Sequence, residues 1–174
     1  PLLERVALLT GWLLVIMAVV TTFDVIARKF GLRLPYTKLQ ELEWHLHAAI
    51  FSLWMGYCYP INAPPRVDSL TERLSHRGRA WIELIGCVVL ALPYVALVAY
   101  YSIDFVVLSY SLSERSDSSV GLTNRWIIKL VYAIGLWLVV LGVVSVLLRV
   151  IVFLFSGKPE KEVNLQIGHV AVEV

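Results

Sequence analysis

The chain has 174 residues, of which 59% are hydrophobic and 16% charged, with a formal net charge of +2. Soluble domains run at roughly 45–50% apolar and about 25% charged, so this balance excludes an ordinary soluble enzyme, a disordered chain and a fibrous repeat. The net charge is too small to argue for nucleic acid, and two cysteines exclude a disulfide scaffold or a CxxC redox motif. The composition is that of an integral membrane protein.

A bilayer core of about 30 Å needs roughly 20 apolar helical residues. Four windows free of Asp, Glu, Lys and Arg meet that need: Val6–Phe23, Trp44–Pro65, Leu84–Ile103 and Leu130–Leu148, the last prolonged by Val150–Phe155. Backbone groups in hydrocarbon must bond within their own segment or a closed barrel. These runs lack the two-residue alternation of barrel strands, so they are expected to be helices. The first is too long for a signal-peptide core and is not followed by a small-residue cleavage site. The expected fold is therefore all-α: an integral membrane protein with four transmembrane helices. A four-helix membrane domain spans 1–157 and a polar C-terminal tail spans 158–174.

In chain order, the first connection, Arg28–Gln40, is short and basic, with Gly31 and Pro35 as breakers. The second, Asn62–Arg79, opens with Pro64-Pro65. Ser69 with Glu72 fits a capping box and Gly78 fits a helix stop. Val67, Leu70 and Leu74 share one face, and Arg66, Arg73 and Arg77 another, which predicts a short amphipathic interfacial helix between spans two and three. The third connection, Ser109–Asn124, is Ser-rich and reads as a solvated loop. Four spans place both termini on one side. That side carries eight bases and the other seven, a weak lean toward cytoplasmic termini.

His45 and His47 are two apart and point about 200° from one another on a helix, so they cannot share one ligand. No second span supplies a histidine for haem. Cys58 and Cys87 read as buried thiols at neighbouring span ends. Asp24 and Asp104 lie at span ends on the non-terminal side. Arg28 stands one turn after Asp24, and Arg125 and Lys129 open span four there. The expectation is a structural ion-pair layer of Asp24, Arg28, Asp104 and Arg125, set against an ion-transport site. No span has an acidic residue at its midplane, as a transporter's broken helices require. Pro93 reads as a kink. Gly135 and Gly142, with Ser145, form a small-residue face on span four, suited to packing within the chain or against a larger partner. Trp44, Trp81 and Trp126 stand at span starts as interfacial anchors, whereas Trp12, Trp54 and Trp137 lie deeper. No catalytic residue, cofactor or metal site is expected.

The order of segments is more specific than any one of them. Asp24-Val-Ile-Ala-Arg-Lys-Phe-Gly ends the first span, and Glu41-Leu-Glu-Trp44 opens the second. Arg66-Val-Asp68 and Glu72-Arg-Leu-Ser75 follow, and Arg79-Ala-Trp81-Ile-Glu83 opens the third. Gly121-Leu-Thr-Asn-Arg-Trp126-Ile-Ile-Lys129 leads to Ala133-Ile-Gly135 in the fourth. Over roughly residues 5–155 this order resembles the small membrane subunit of tripartite ATP-independent periplasmic (TRAP) transporters, the DctQ-like family. Ala133 and Thr123-Asn124 depart from it, since many relatives carry proline at those places.

The resemblance implies a non-catalytic scaffold in a sodium-driven solute importer of the bacterial inner membrane, with organic acids as the solute class and cytoplasmic termini. The implied partners are a large membrane subunit, a periplasmic substrate-binding protein and membrane lipids, with no nucleic acid. It carries over Glu41, Glu43, Trp44, Arg66, Asp68, Trp81, Trp126 and Lys129 as positions for partner or lipid contact. The competing reading is an independent small membrane protein, either a self-assembling transporter or a haem or quinone anchor. The missing midplane carboxylate and missing histidine pair favour the scaffold.

Overall fold

The computed structural model describes residues 1–63, 74–156 and 159–165, and these are helical, with no strand among them. Helix α1 runs Leu2–Lys29, α2 Tyr36–Cys58, α3 His76–Gly86, α4 Leu92–Ser111, α5 Trp126–Ser156 and the short α6 Glu160–Val163. A π-helical stretch, Cys87–Ala91, joins α3 to α4, so His76–Ser111 is one continuous helix of 36 residues. The reason lies in Pro93, which has no N–H to give to Val89. A wide turn just before it removes that requirement, and the Leu92 N–H reaches the Cys87 carbonyl.

Among the described residues three helices are long and apolar enough to cross a membrane: α1, the α3–α4 helix and α5. Helix α2 is too polar to count with them, because Lys38, Glu41, Glu43, His45 and His47 crowd its first half. Its uncharged part, Trp44–Cys58, is fifteen residues, or about 22 Å at the α-helical rise.

The expected interfacial helix falls mostly on 64–73, and with it Arg66, Asp68 and the Ser69–Glu72 capping box; these lie outside the described residues. Beyond them Gly78 does not stop a helix. It sits in the first turn of α3, where Ser75 is the N-cap and its hydroxyl accepts the Gly78 N–H at 3.2 Å. A serine cap three residues earlier makes Gly78 an entry position.

Three helices end by one device. After α1, the Leu32 N–H donates to Ala27 at 3.0 Å and the Gly31 N–H to Arg28 at 3.1 Å. After α2, Ala63 donates to Cys58 and Asn62 to Tyr59. After α4, Glu114 donates to Ser109 and Ser113 to Tyr110. The turning residues Gly31, Asn62 and Ser113 have φ of +66°, +56° and +47°. This double bond satisfies carbonyls that the helix leaves open.

The helices pack as a row, α1–α2–α5–α4, and α1 and α4 each have one extensive helical neighbour in it. The central α2–α5 contact is set by glycine. A Cβ on Gly135 would lie 2.6 Å from the Ser52 carbonyl oxygen, on Gly142 2.5 Å from that of Gly56, and on Gly56 2.7 Å from the Leu138 carbonyl carbon. The small-residue face of α5 is therefore spent inside the chain, on backbone-to-backbone approach. A second packing centre joins Val139, Val143, Val146 and Val150 of α5 to Ala80, Cys87 and Leu165. Leu165 belongs to the tail, which returns onto α5; the Arg149 guanidinium donates to the Asn164 carbonyl at 2.9 Å.

Candidate functional site

The connections after α1 and α4 lie at one end of the row, and most of the sequence-selected polar residues gather there. At the α1–α2 corner, Arg28 Nε donates to Asp24 Oδ2 at 2.7 Å. The Arg28 guanidinium stacks 4.7 Å from the centroid of the Tyr36 ring. The Tyr36 hydroxyl bonds to the Ala27 carbonyl at 3.1 Å and to that of Leu32, fastening α2 to the end of α1. Glu43 lies within Coulombic reach of Arg28. Asp24 Oδ1 and Glu43 Oε1 are buried with no hydrogen-bond partner among the described residues.

The connection 112–125 is built around one carboxylate. Glu41, in the polar first turns of α2, is 6% exposed. Its Oε2 accepts the Leu122 N–H at 2.5 Å and its Oε1 accepts the Ser116 hydroxyl. Ser116 in turn accepts the Ser118 N–H at 3.1 Å and donates its own N–H to the Leu122 carbonyl at 3.0 Å. Gly121 leaves the space: a Cβ there would collide with Ser116 and the Glu41 carboxylate. The loop is thus folded onto α2, which a count of its serines does not reveal.

Beside it, Lys129 Nζ pairs with Glu114 and lies 3.8 Å from the centroid of the Phe105 ring. The Arg125 N–H donates to the Glu114 carbonyl at 3.2 Å, and Arg125 meets Asp117 at 3.9 Å on the exposed side. The Leu122 N–H, then the Ser116 hydroxyl, hold the Glu41 carboxyl below the usual carboxylate range, against a smaller opposing effect of desolvation. The Lys129 ammonium does the same for Glu114.

This end contains anchoring chemistry: each carboxylate that is satisfied is satisfied by the chain itself. No group of three or more His, Cys, Asp or Glu able to hold a metal gathers among the described residues. His45 Nδ1 is engaged with the Glu41 carbonyl at 2.5 Å, and His47 lines a groove between α1 and α2. What decides the class is the whole sequence laid over these helices. The family model of tripartite ATP-independent periplasmic transporters, DctQ component, matches residues 17–153, from α1 to the last turn of α5. The chain belongs to the DctQ family. It is a transmembrane component of a three-part transporter. Among curated proteins and among solved structures, no match to the chain was found.

In this DctQ chain the selected residues fall into three groups. Glu41 and Lys129 are engaged within the chain, and Asp24 is joined to Arg28. Trp126 meets Tyr110 edge-to-face at 5.4 Å, and Trp81 meets Phe155 at 6.1 Å, while Trp44 is 63% exposed. Asp104 is not brought to Arg125; it stands exposed on α4 with no partner among the described residues. Of the deeper tryptophans, Trp54 donates its indole N–H to the Ala7 carbonyl at 2.9 Å and ties α2 to α1.

Sequence reasoning missed Ser116, Leu122 and Tyr36 as the partners that lock the rim, and Gly56 as the third glycine of the α2–α5 contact. It also missed Tyr59, whose hydroxyl donates to Glu83 at 3.0 Å and lies 3.3 Å from the Cys87 sulfur. Cys58 lines the α1–α2 groove, and it is not joined to Cys87 in a disulfide.

Proposed function

We propose that this DctQ chain is the non-catalytic scaffold of a sodium-driven importer, bracing the large transport subunit in the bacterial inner membrane. The single observation behind this reading is where its polar groups are spent. They close loops and tie helices at the two ends of the row, Glu41 and Lys129 at one and Tyr59 and Arg149 at the other, while the middles of α1, α4 and α5 present apolar side chains outward. A solute or sodium path needs unsatisfied polar groups at mid-membrane depth, and the helical row offers surface instead.

In this reading α2 is a fourth span whose polar first turns stand in the headgroup layer. Both termini are cytoplasmic, as the weak excess of bases on the terminal side favours. The Asp24–Arg28 pair fixes helix depth. Trp44, Trp81 and Trp126 sit at the interfaces, and Glu43 with the Arg66–Asp68 segment faces lipid headgroups or the partner. A periplasmic binding protein delivers the solute, an organic acid by family resemblance, to the large subunit. Co-expression with the cognate large subunit and purification in gentle detergent tests this. The two chains are expected to elute together. A stable lone chain that takes up solute in liposomes would overturn the proposal.

A further inference from the structure

At the end of the row away from the Glu41 clasp, α1, α2 and α5 border a cavity of about 630 Å³. Sites for small ligands run at about 300–1,000 Å³. Glu4 lines it from the first turn of α1, and Tyr57 from the last turn of α2 with Pro60 just beyond. Leu141, Ser145 and Arg149 line it from one face of α5. Acid and base thus border one space, yet Glu4 and Arg149 form no ion pair with each other. Arg149 gives one nitrogen to the Asn164 carbonyl at 2.9 Å, and a guanidinium has further donors to offer. The Glu4 carboxylate and the Tyr57 and Ser145 hydroxyls have no hydrogen-bond partner among the described residues.

The depth of this cavity follows from α5. Arg149 lies 23 residues beyond Trp126 on that helix, about 34 Å by helical rise. A hydrocarbon core is about 30 Å thick, so with Trp126 in one headgroup layer Arg149 stands in the other. Leu141 is eight residues back and 49% exposed, about 12 Å deeper. The cavity therefore begins among headgroups and ends among acyl chains. A guest that satisfies it carries an anion for Arg149, a cation for Glu4 and an apolar part for Leu141. Water answers the polar half alone, and a wholly anionic lipid sets like charge against Glu4. A phospholipid with an amine headgroup carries ammonium, phosphate, ester oxygens and acyl chains in that order.

We propose that this cavity binds one amine-bearing phospholipid. Its phosphate sits on Arg149, whose planar fork of donors matches phosphate oxygens. Its ammonium meets Glu4, its ester oxygens lie beside Tyr57 and Ser145, and its acyl chains pass Leu141. The bound lipid fills the space between α1 and α5, two helices that otherwise meet through α2.

The test is native mass spectrometry of the full chain, purified in gentle detergent, delipidated and mixed with equal amounts of phosphatidylethanolamine and phosphatidylglycerol. The chain is expected to retain one phosphatidylethanolamine in preference to phosphatidylglycerol by about fivefold, the size of effect one ion pair near a surface gives. Glu4 is exposed, so Glu4→Gln leaves packing intact and is expected to abolish that preference. Ser145→Leu, which fills the cavity, is expected to lower retention of both lipids. Free phosphoethanolamine, which lacks the acyl chains, is expected not to displace the lipid. Four results would overturn the proposal: no retained lipid, equal retention of the two lipids by the unaltered chain, an unchanged preference in Glu4→Gln, or displacement by free phosphoethanolamine.

Discussion

The backbone N–H of Leu122 donates to the Glu41 carboxylate at 2.5 Å across 81 residues of sequence. Together with the Ser116 hydroxyl it converts the loop between α4 and α5 into a clasp on the first turns of α2. The row of helices is therefore closed at this end by a charge-assisted bond between its two hairpins.

The Glu41 clasp carries a pH dependence whose sign follows from its donors. They hold the folded carboxyl below its unfolded value, so the clasp contributes fully above the unfolded carboxylate pKa of about 4.3. That contribution is lost as pH falls through the lower folded value. The protection factor of the Leu122 amide, its exchange measured against the intrinsic rate at the same pH, is expected to be high at neutral pH and to fall on acidification below that range. Glu41→Gln, whose amide offers one acceptor where two are needed, is expected to show a low protection factor at every pH.

The α2–α5 contact predicts a sharp difference between glycines. Gly135→Ala places a methyl against the Ser52 carbonyl, so the helices must separate. Overpacking of this kind costs about 1–3 kcal/mol, and thermal unfolding in detergent is expected to show a lowered Tm. Gly11 has open space around it, and there alanine removes the entropy cost of a helical glycine, roughly 0.5–1 kcal/mol. Gly11→Ala is expected to hold or raise the Tm.

The turn after α1 gives a second backbone test. Gly31 has φ +66°, a conformation that costs an L side chain roughly 1–2 kcal/mol. Gly31→Val is expected to destabilise the α1–α2 corner by about that amount, read as a loss of thermal stability. Gly31→Asn is expected to retain most of it, since Asn62 adopts φ +56° in the equivalent place after α2.

Three of the helices were legible in the sequence because long uncharged runs have one solution in hydrocarbon. The small-residue spacing of Gly135 and Gly142 was legible for the same kind of reason: residues seven apart share a helix face. Its partner Gly56 was not, because one glycine in α2 carries no period. The clasp was hidden because its three members, Glu41, Ser116 and Leu122, are far apart in sequence and one of them contributes only a backbone N–H. Gly78 misled because glycine is as compatible with a first turn as with a stop, and the cap at Ser75 decides between them. Asp104 was matched to Arg125 by proximity to the same membrane face, but α4 turns it outward, opposite the side that meets α5.

The central claim is that this chain supports transport without performing it. Its most direct test is solute uptake into liposomes under an imposed sodium gradient. The chain alone is expected to give no uptake above empty liposomes, and the chain with the large subunit and binding protein is expected to give sodium-dependent uptake. Gradient-driven uptake by this chain alone would contradict the account.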